Sequence, residues 1–121
     1  MRERPGRLRA TLDRWASHDH AEAHDLLRDT ESAGLISIAA ATHREMVTLQ
    51  GTIKAVTLRP RGGVPALEAE LYDGSGTIVL IWLGRRRITG ISPGITMRVV
   101  GRLGLQEGVS VIYNPRYEIR P

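Results

Sequence analysis

"LYDGSGTIVLIWLGRRR", Leu71 to Arg87, joins a glycine turn, an apolar run from Ile78 to Leu83 and three arginines. A bilayer crossing takes about 20 apolar residues, so this run is too short to be a transmembrane helix. It is long enough for a central strand buried on both faces. Asp73-Gly74 before it is a hairpin signal. The strand on the other side of that hairpin should be Leu67, Ala69 and Leu71, alternating with Glu68, Glu70 and Tyr72. That alternation predicts one buried and one wet face.

Working outward, Met46 to Leu58 alternates as Val47, Leu49, Gly51 and Ile53, then shifts register to Val56 and Leu58. Such a shift marks a bulge or a strong bend, and Gly51 allows backbones to approach closely there. Arg59 to Pro65, RPRGGVP, reads as a loop whose glycines leave the backbone beside Arg59 and Arg61 mobile. After the arginines, TGISPG ends a connection of about ten residues, room for one helical turn at most. Ile95 to Leu105 is a fourth strand with Gly101 in its middle, and QEG turns it into a fifth, Val109 to Ile119. Small barrels close by bending strands at glycines and bulges. A five-stranded barrel with a long coiled first strand is the OB-fold. The expected architecture is therefore mainly β, a five-stranded OB-fold barrel with an N-terminal helical segment. A β-sandwich would need about seven strands.

Leu8, Leu12, Trp15 and Ala16 lie three and four apart, as one apolar helix face requires. The pattern weakens at His18 to His20 and resumes at Ala21, Ala23, Leu26 and Leu27 among many acids, with Ser32 and Gly34 as a stop. One short turn is expected within residues 38–44. The division that follows is a helical segment over 1–34 and an OB domain over 35–121.

The chain carries net charge +4, and 16 of its 17 basic residues are arginine. Residues 1–45 hold 7 basic residues against 8 acids, or −1; residues 46–121 hold 10 against 5, or +5. The positive charge belongs to the barrel, in the planar form that suits phosphate and base edges. High genomic GC content, which favours arginine codons everywhere, is the competing cause of that bias. With no cysteine, disulfides, cysteine-ligated zinc and thiol catalysis are excluded. The start MRERPGRLRA lacks the apolar stretch of a signal peptide, an expectation of a cytoplasmic protein.

The run "VTLQGTIKAVTLRPRGGVPALEAELYDGSGTIVLIWLGRRRITGISPGITMRVVGRL" resembles the actinobacterial stand-alone OB-fold proteins regarded as nucleic-acid-binding. Their OB domain is similar to the tRNA anticodon-binding type of class II aminoacyl-tRNA synthetases and to the wedge domain of a branch-migrating helicase. The pieces that carry the resemblance are G-T-I at 51–53, D-G-S-G at 73–76, W-L-G-R-R-R-I at 82–88, P-G at 93–94, V-G-R at 100–102 and N-P-R-Y-E at 114–118. It covers residues 35–121 and implies an OB barrel that binds nucleic acid.

OB-folds bind single strands on the face of strands two and three, between the loops after strands one and four. Cations for phosphate and flat side chains for bases are the chemistry required, each stack being worth roughly 1–3 kcal/mol. Arg59 and Arg61 supply charge from the first loop. Tyr72 stands on the polar face of strand two and is the better stacking candidate. Trp82, in a run apolar on both faces, is either a second platform or a core residue. Arg85, Arg86 and Arg87 form a basic rim with Arg98 and Arg102, or a charged strand end that blocks edge aggregation. Tyr113, Arg116 and Tyr117 lie close in sequence, as a contact patch or as the seal of the barrel end. Glu68 and Glu70 place like charge along the phosphate path, which weakens binding.

His20 and His24 lie one helical turn apart, but no third ligand completes an H-E-x-x-H arrangement, so no metal is expected. No cofactor motif, Walker loop or nucleophile motif is present, and an enzyme is not expected. The reading is a non-catalytic protein that binds single-stranded nucleic acid through arginines and aromatic stacking, with no membrane association. The alternative is a protein-protein interaction module, using the barrel or the N-terminal helix, with self-association among its forms.

Overall fold

Gly51 decides how the first strand bends. In a computed structural model describing the backbone of residues 5–121 and the side chains of 17–121, a Cβ at this position would lie 2.5 Å from the carbonyl oxygen of Tyr72. Only glycine permits that approach. β1 (Met46–Leu58) can therefore hand over from one neighbour to another. Its first half pairs antiparallel with β4 (Thr96–Arg102), from Met46 opposite Arg102 to Thr52 opposite Thr96. Its second half pairs antiparallel with β2 (Ala66–Tyr72), from Thr52 opposite Tyr72 to Leu58 opposite Leu67. The register breaks between Ile53 and Ala55, so the expected bulge falls at Lys54.

β3 (Thr77–Leu83) pairs antiparallel with β2 and in parallel with β6 (Val109–Tyr113). The fourth and fifth strands are each broken once, where the sequence reading ran them through. Strand four stops at Arg102 and resumes as β5 (Gly104–Gln106), which pairs with β6. The residue between, Leu103, turns both backbone groups to the segment before β1: its N–H donates to Glu45 O at 3.0 Å and its carbonyl accepts from Arg44 N–H at 2.6 Å. Strand five breaks at Asn114, whose φ is 50°, and at Pro115, which has no N–H to offer a ladder. Beyond the break, β7 (Arg116–Arg120) pairs antiparallel with β4. Strand five thus lies on β3 with its first half and on β4 with its second, and this closes the sheet into a barrel.

The core is built from the inward positions of every long strand: Leu49, Ile53, Leu71, Ile78, Leu80, Met97, Val99 and Ile112 have no exposed surface. Ile88 and Ile91, buried in the non-helical connection between β3 and β4, pack into the same core. Trp82 belongs here too. It is 6% exposed, its indole N–H donates to Pro115 O at 3.1 Å, and its ring meets Tyr117 edge-on at 5.8 Å. Such an edge contact is worth about 0.5–1.5 kcal/mol beyond burial.

α1 (Pro5–Ser32) runs without interruption, although the apolar pattern weakens at His18. No glycine or proline stands between Arg7 and Ser32, so a weak stripe alone does not end the helix. The face drawn by Leu8, Leu12, Trp15 and Ala16 lies outside the described side chains. Gly34 ends the helix with φ 73°: its N–H donates to Glu31 O and that of Leu35 to Thr30 O, the paired bonds of a Schellman stop. Ile38–Ala40 then makes the expected short turn, of 3-10 type.

That turn is held by the D-G-S-G hairpin. Asp73 is 1% exposed, and its Oδ1 accepts from the N–H of Ser75 (2.9 Å), the hydroxyl of Ser75 (2.6 Å) and the N–H of Gly76 (3.2 Å). Its Oδ2 accepts from Ile38 N–H at 2.7 Å. One carboxylate therefore sets the β2–β3 register and ties the chain that leads from α1 to the barrel.

Candidate nucleic-acid interface

The connection from β1 to β2 is an ordered hairpin rather than a mobile loop. Gly62 and Gly63 have φ of 58° and 80°, and Arg61 and Val64 exchange both backbone hydrogen bonds across them. Positive φ at both central residues is the turn that follows strand twist. It folds Arg61 back over the outer face of β2, where Arg61 Nη2 donates to Glu68 Oε2 at 3.2 Å. Arg59 Nε stands 3.8 Å from the same oxygen. Glu68, expected on a wet face, is only 9% exposed because these arginines cover it. Glu70 remains exposed.

Arg61 also reaches across to strand five. Its Nη1 donates to the Tyr113 hydroxyl at 3.4 Å, and that hydroxyl donates in turn to Gln106 Oε1 on β5. The hairpin after β1 and the β5–β6 hairpin are thereby joined over a small apolar patch of Ala66, Val79, Ile81 and Val111. Beside Tyr113 lies a groove of about 560 Å³ whose walls include Arg44, Arg102, Leu105 and Gln106. Arg102 Nη1 donates to Arg44 O at 2.5 Å, which fixes the guanidinium at the rim.

The predicted residues divide into five groups. Arg59, Arg61 and Arg102 converge with Tyr113 on this end of the barrel. Arg85, Arg86 and Arg87 are exposed and follow Gly84, whose N–H bonds Pro65 O at 2.7 Å, so they start beside the same hairpin. Arg98 and Arg116 lie on β4 and β7, away from β2 and β3; Arg98 donates through Nε and Nη2 to Gln50 Oε1 at 3.1 and 2.8 Å. Trp82 is inside and shows no ring face to solvent. Tyr72 is half-buried at the far end of β2, about 20 Å from Ala66 at ~3.3 Å per residue. Arg44 and Gln106 were missed in the sequence reading. Neither carries a motif; the break at Leu103 brings Arg44 into the groove.

At the Tyr72 end, Lys54 Nζ stands 5.3 Å from the Tyr72 ring centroid and forms an ion pair with Glu22 of α1. Asp19, Glu22, Glu70, Tyr72 and Thr77 line a cavity of about 370 Å³ with Lys54. Among the described residues no three His, Asp or Glu side chains are grouped to hold a metal ion, and His18, His20 and His24 are exposed. No described helix is long and apolar enough to cross a membrane.

No protein-family profile and no curated protein matches the sequence. Solved structures do match in shape. The p204 HINb domain superposes with TM-score 0.59 at 14% identity, over 75% of this chain and 49% of that one. The second OB-fold domain of replication protein A from Methanococcus maripaludis gives TM-score 0.57 at 14% identity, over 69% of this chain and 92% of that one. RecG bound to a three-way DNA junction gives 0.55 at 24% identity, over 72% of this chain and 12% of that one. The chain thus spans about half of the p204 chain and a small part of RecG. At these identities the likeness is one of fold: the chain is built as an OB-fold domain with an N-terminal helix.

Proposed function

We propose that the protein is a non-catalytic binder of single-stranded nucleic acid, DNA or RNA, with little sequence preference. The observation that carries this reading is the Arg61–Tyr113–Gln106 bridge at the edge of a groove walled by Arg44 and Arg102. Cations and one aromatic ring meet there between two hairpins, the arrangement that tracks a backbone and stacks a base. Among similar folds, a replication protein A heterotrimer was solved bound to ssDNA, with TM-score 0.51 at 15% identity. The sequence resemblance described above supports placing the chain with the actinobacterial stand-alone OB-fold proteins. Arg59, Arg61, Arg102 and Arg44 contact phosphate in this reading, Tyr113 stacks, and Arg85 to Arg87 extend the rim. Trp82, Arg98 and Arg116 have no part in it.

The test is anisotropy of labelled single strands about 20 nucleotides long, at low and physiological salt. Tyr113→Ala and Arg102→Ala should each weaken binding about tenfold, one stack or one charged contact. With four phosphate contacts, log affinity should fall with log salt at a slope of about −3. Absence of binding at low salt, or binding indifferent to both variants, refutes the reading. Exposed Leu105 and Val109 on the β5–β6 hairpin favour a protein partner as the second reading; such binding would be insensitive to salt.

A further inference from the structure

We propose that α1 is an acidic lid on the Lys54–Tyr72 half of the β2–β3 face, displaced when a bound nucleic acid runs the length of that face; the proposal rests on the nucleic-acid reading above. The described helix residues from Ser17 to Ser32 hold Asp19, Glu22, Asp25, Asp29 and Glu31 against Arg28 alone. Two of those acids stand where phosphate would pass: Glu22 pairs with Lys54, and Asp19 joins it in the cavity bordered by Glu70 and Tyr72. Lys54 is the only lysine of the chain, and it is also the cation set over the Tyr72 ring. One contact from the helix thus withholds both the charge and the aromatic face that a strand needs at this end.

The helix is built to stay close and yet come away. Its backbone rests on the hairpin turn: a Cβ on Gly74 would lie 2.1 Å from Ala23 O, so glycine there lets α1 sit against the turn. The apolar grip is thin, with Ala23, Leu26 and Leu27 only half-buried and Thr30 the one buried side chain from Ser17 to Ser32. Behind the helix the Gly34 stop is open, with nothing within 4 Å of a Cβ built there, while Ile38 is fixed by Asp73 four residues on. A swing about residues 33–37 would release the helix and leave the barrel intact. A thin apolar contact plus an exposed ion pair is a weak clasp, and phosphates offer Lys54 the same sign of charge as Glu22.

The test uses the full chain, labelled single-stranded oligothymidine of about 20 nucleotides and two variants of equal charge change. Asp19→Asn with Glu22→Gln removes the acids over the face; Asp29→Asn with Glu31→Gln removes two exposed acids that do not line the cavity. The first pair should tighten binding about tenfold, one freed cation and ring, and the second far less. Adding Lys54→Ala to the first pair should abolish the gain. Amide exchange over Ala21–Leu27 should speed up when oligonucleotide is added to the unaltered chain. Equal gains from both pairs, a gain that survives Lys54→Ala, or unchanged helix exchange overturns the lid. If the chain binds as Arg102 and Tyr113 require but the two pairs match, the lid alone falls. If neither the chain nor any variant binds, the functional reading falls and takes the lid with it.

Discussion

Exchanging the Asp73 carboxylate for an amide of the same shape isolates what its second oxygen contributes. The carboxylate has two acceptor oxygens and four donors aimed at them: Ile38 N–H on Oδ2, and Ser75 N–H, Ser75 hydroxyl and Gly76 N–H on Oδ1. Asparagine has one acceptor and one NH2 group. If its oxygen stays with Ser75, its amide hydrogens face Ile38 N–H across a site now 2.7 Å wide. If it flips, they face three donors. The cheaper arrangement leaves one buried N–H unsatisfied, about 1–3 kcal/mol. It also turns three charge-assisted bonds into neutral ones of roughly half the strength. Together these predict a loss of about 3 kcal/mol for Asp73→Asn, a fall in Tm of ~12 °C at about 4 °C per kcal/mol. Urea unfolding followed by circular dichroism measures it, with the m-value unchanged. Ser75→Ala, which leaves both oxygens but removes one donor to Asp73 and the acceptor of the exposed Ala39 N–H, should cost about 1–2 kcal/mol. A difference under about 0.5 kcal/mol between Asp73→Asn and the unaltered chain, the scatter of ordinary surface changes, would refute the account of Asp73 as the tie between turn and barrel.

Three further predictions concern the barrel. Gly51→Ala should lose about 2–3 kcal/mol in urea unfolding, because the added methyl meets rigid backbone at Tyr72. Gly101→Ala should cost a similar amount, since its methyl would lie 2.4 Å from Cγ2 of Ile112, a β-branched side chain with no exposed surface. Trp82→Phe should lower stability by about 1–2 kcal/mol, by stranding Pro115 O and shrinking the core contact, yet leave oligonucleotide affinity unchanged. A loss of affinity without a loss of stability would return Trp82 to the binding surface.

What the sequence displayed well was local. The bounds of β1 and β3, the bulge after Ile53 and the stop at Gly34 follow from alternation, glycine and turn chemistry within a few residues of each. The breaks in strands four and five were harder, since apolar alternation continues across Leu103 and Asn114; the Asn114-Pro115 pair was the signal available. Glu68 looked wet because period two assigns it outward, and only the hairpin that folds Arg61 over it makes it buried. The arginine end of the site was visible as charge. Its aromatic member, Tyr113, was visible only as part of a patch, because Arg61 reaches it from a hairpin distant in sequence and Gln106 faces it only once strand four breaks to form the β5–β6 hairpin. The placement of α1 beside Tyr72 depends on a contact between Ala23 and Gly74 that no periodicity encodes.

The split fifth strand has a consequence for the time course of folding. The β2–β3 hairpin pairs near neighbours, and hairpins form in about 1–10 μs. Pairing β1 with β4 brings Leu49 opposite Val99, and pairing β3 with β6 brings Val79 opposite Val111; each must close a long loop first. Contacts so remote in sequence belong to chains that fold in milliseconds to seconds. Until both halves of strand five are seated, on β3 and on β4, the barrel remains an open sheet with its inner face uncovered. Seating that strand is therefore expected as the slow, late event. Substitutions around Asn114 and Pro115 should act mainly on how fast the native barrel opens again, and less on how fast the hairpins assemble.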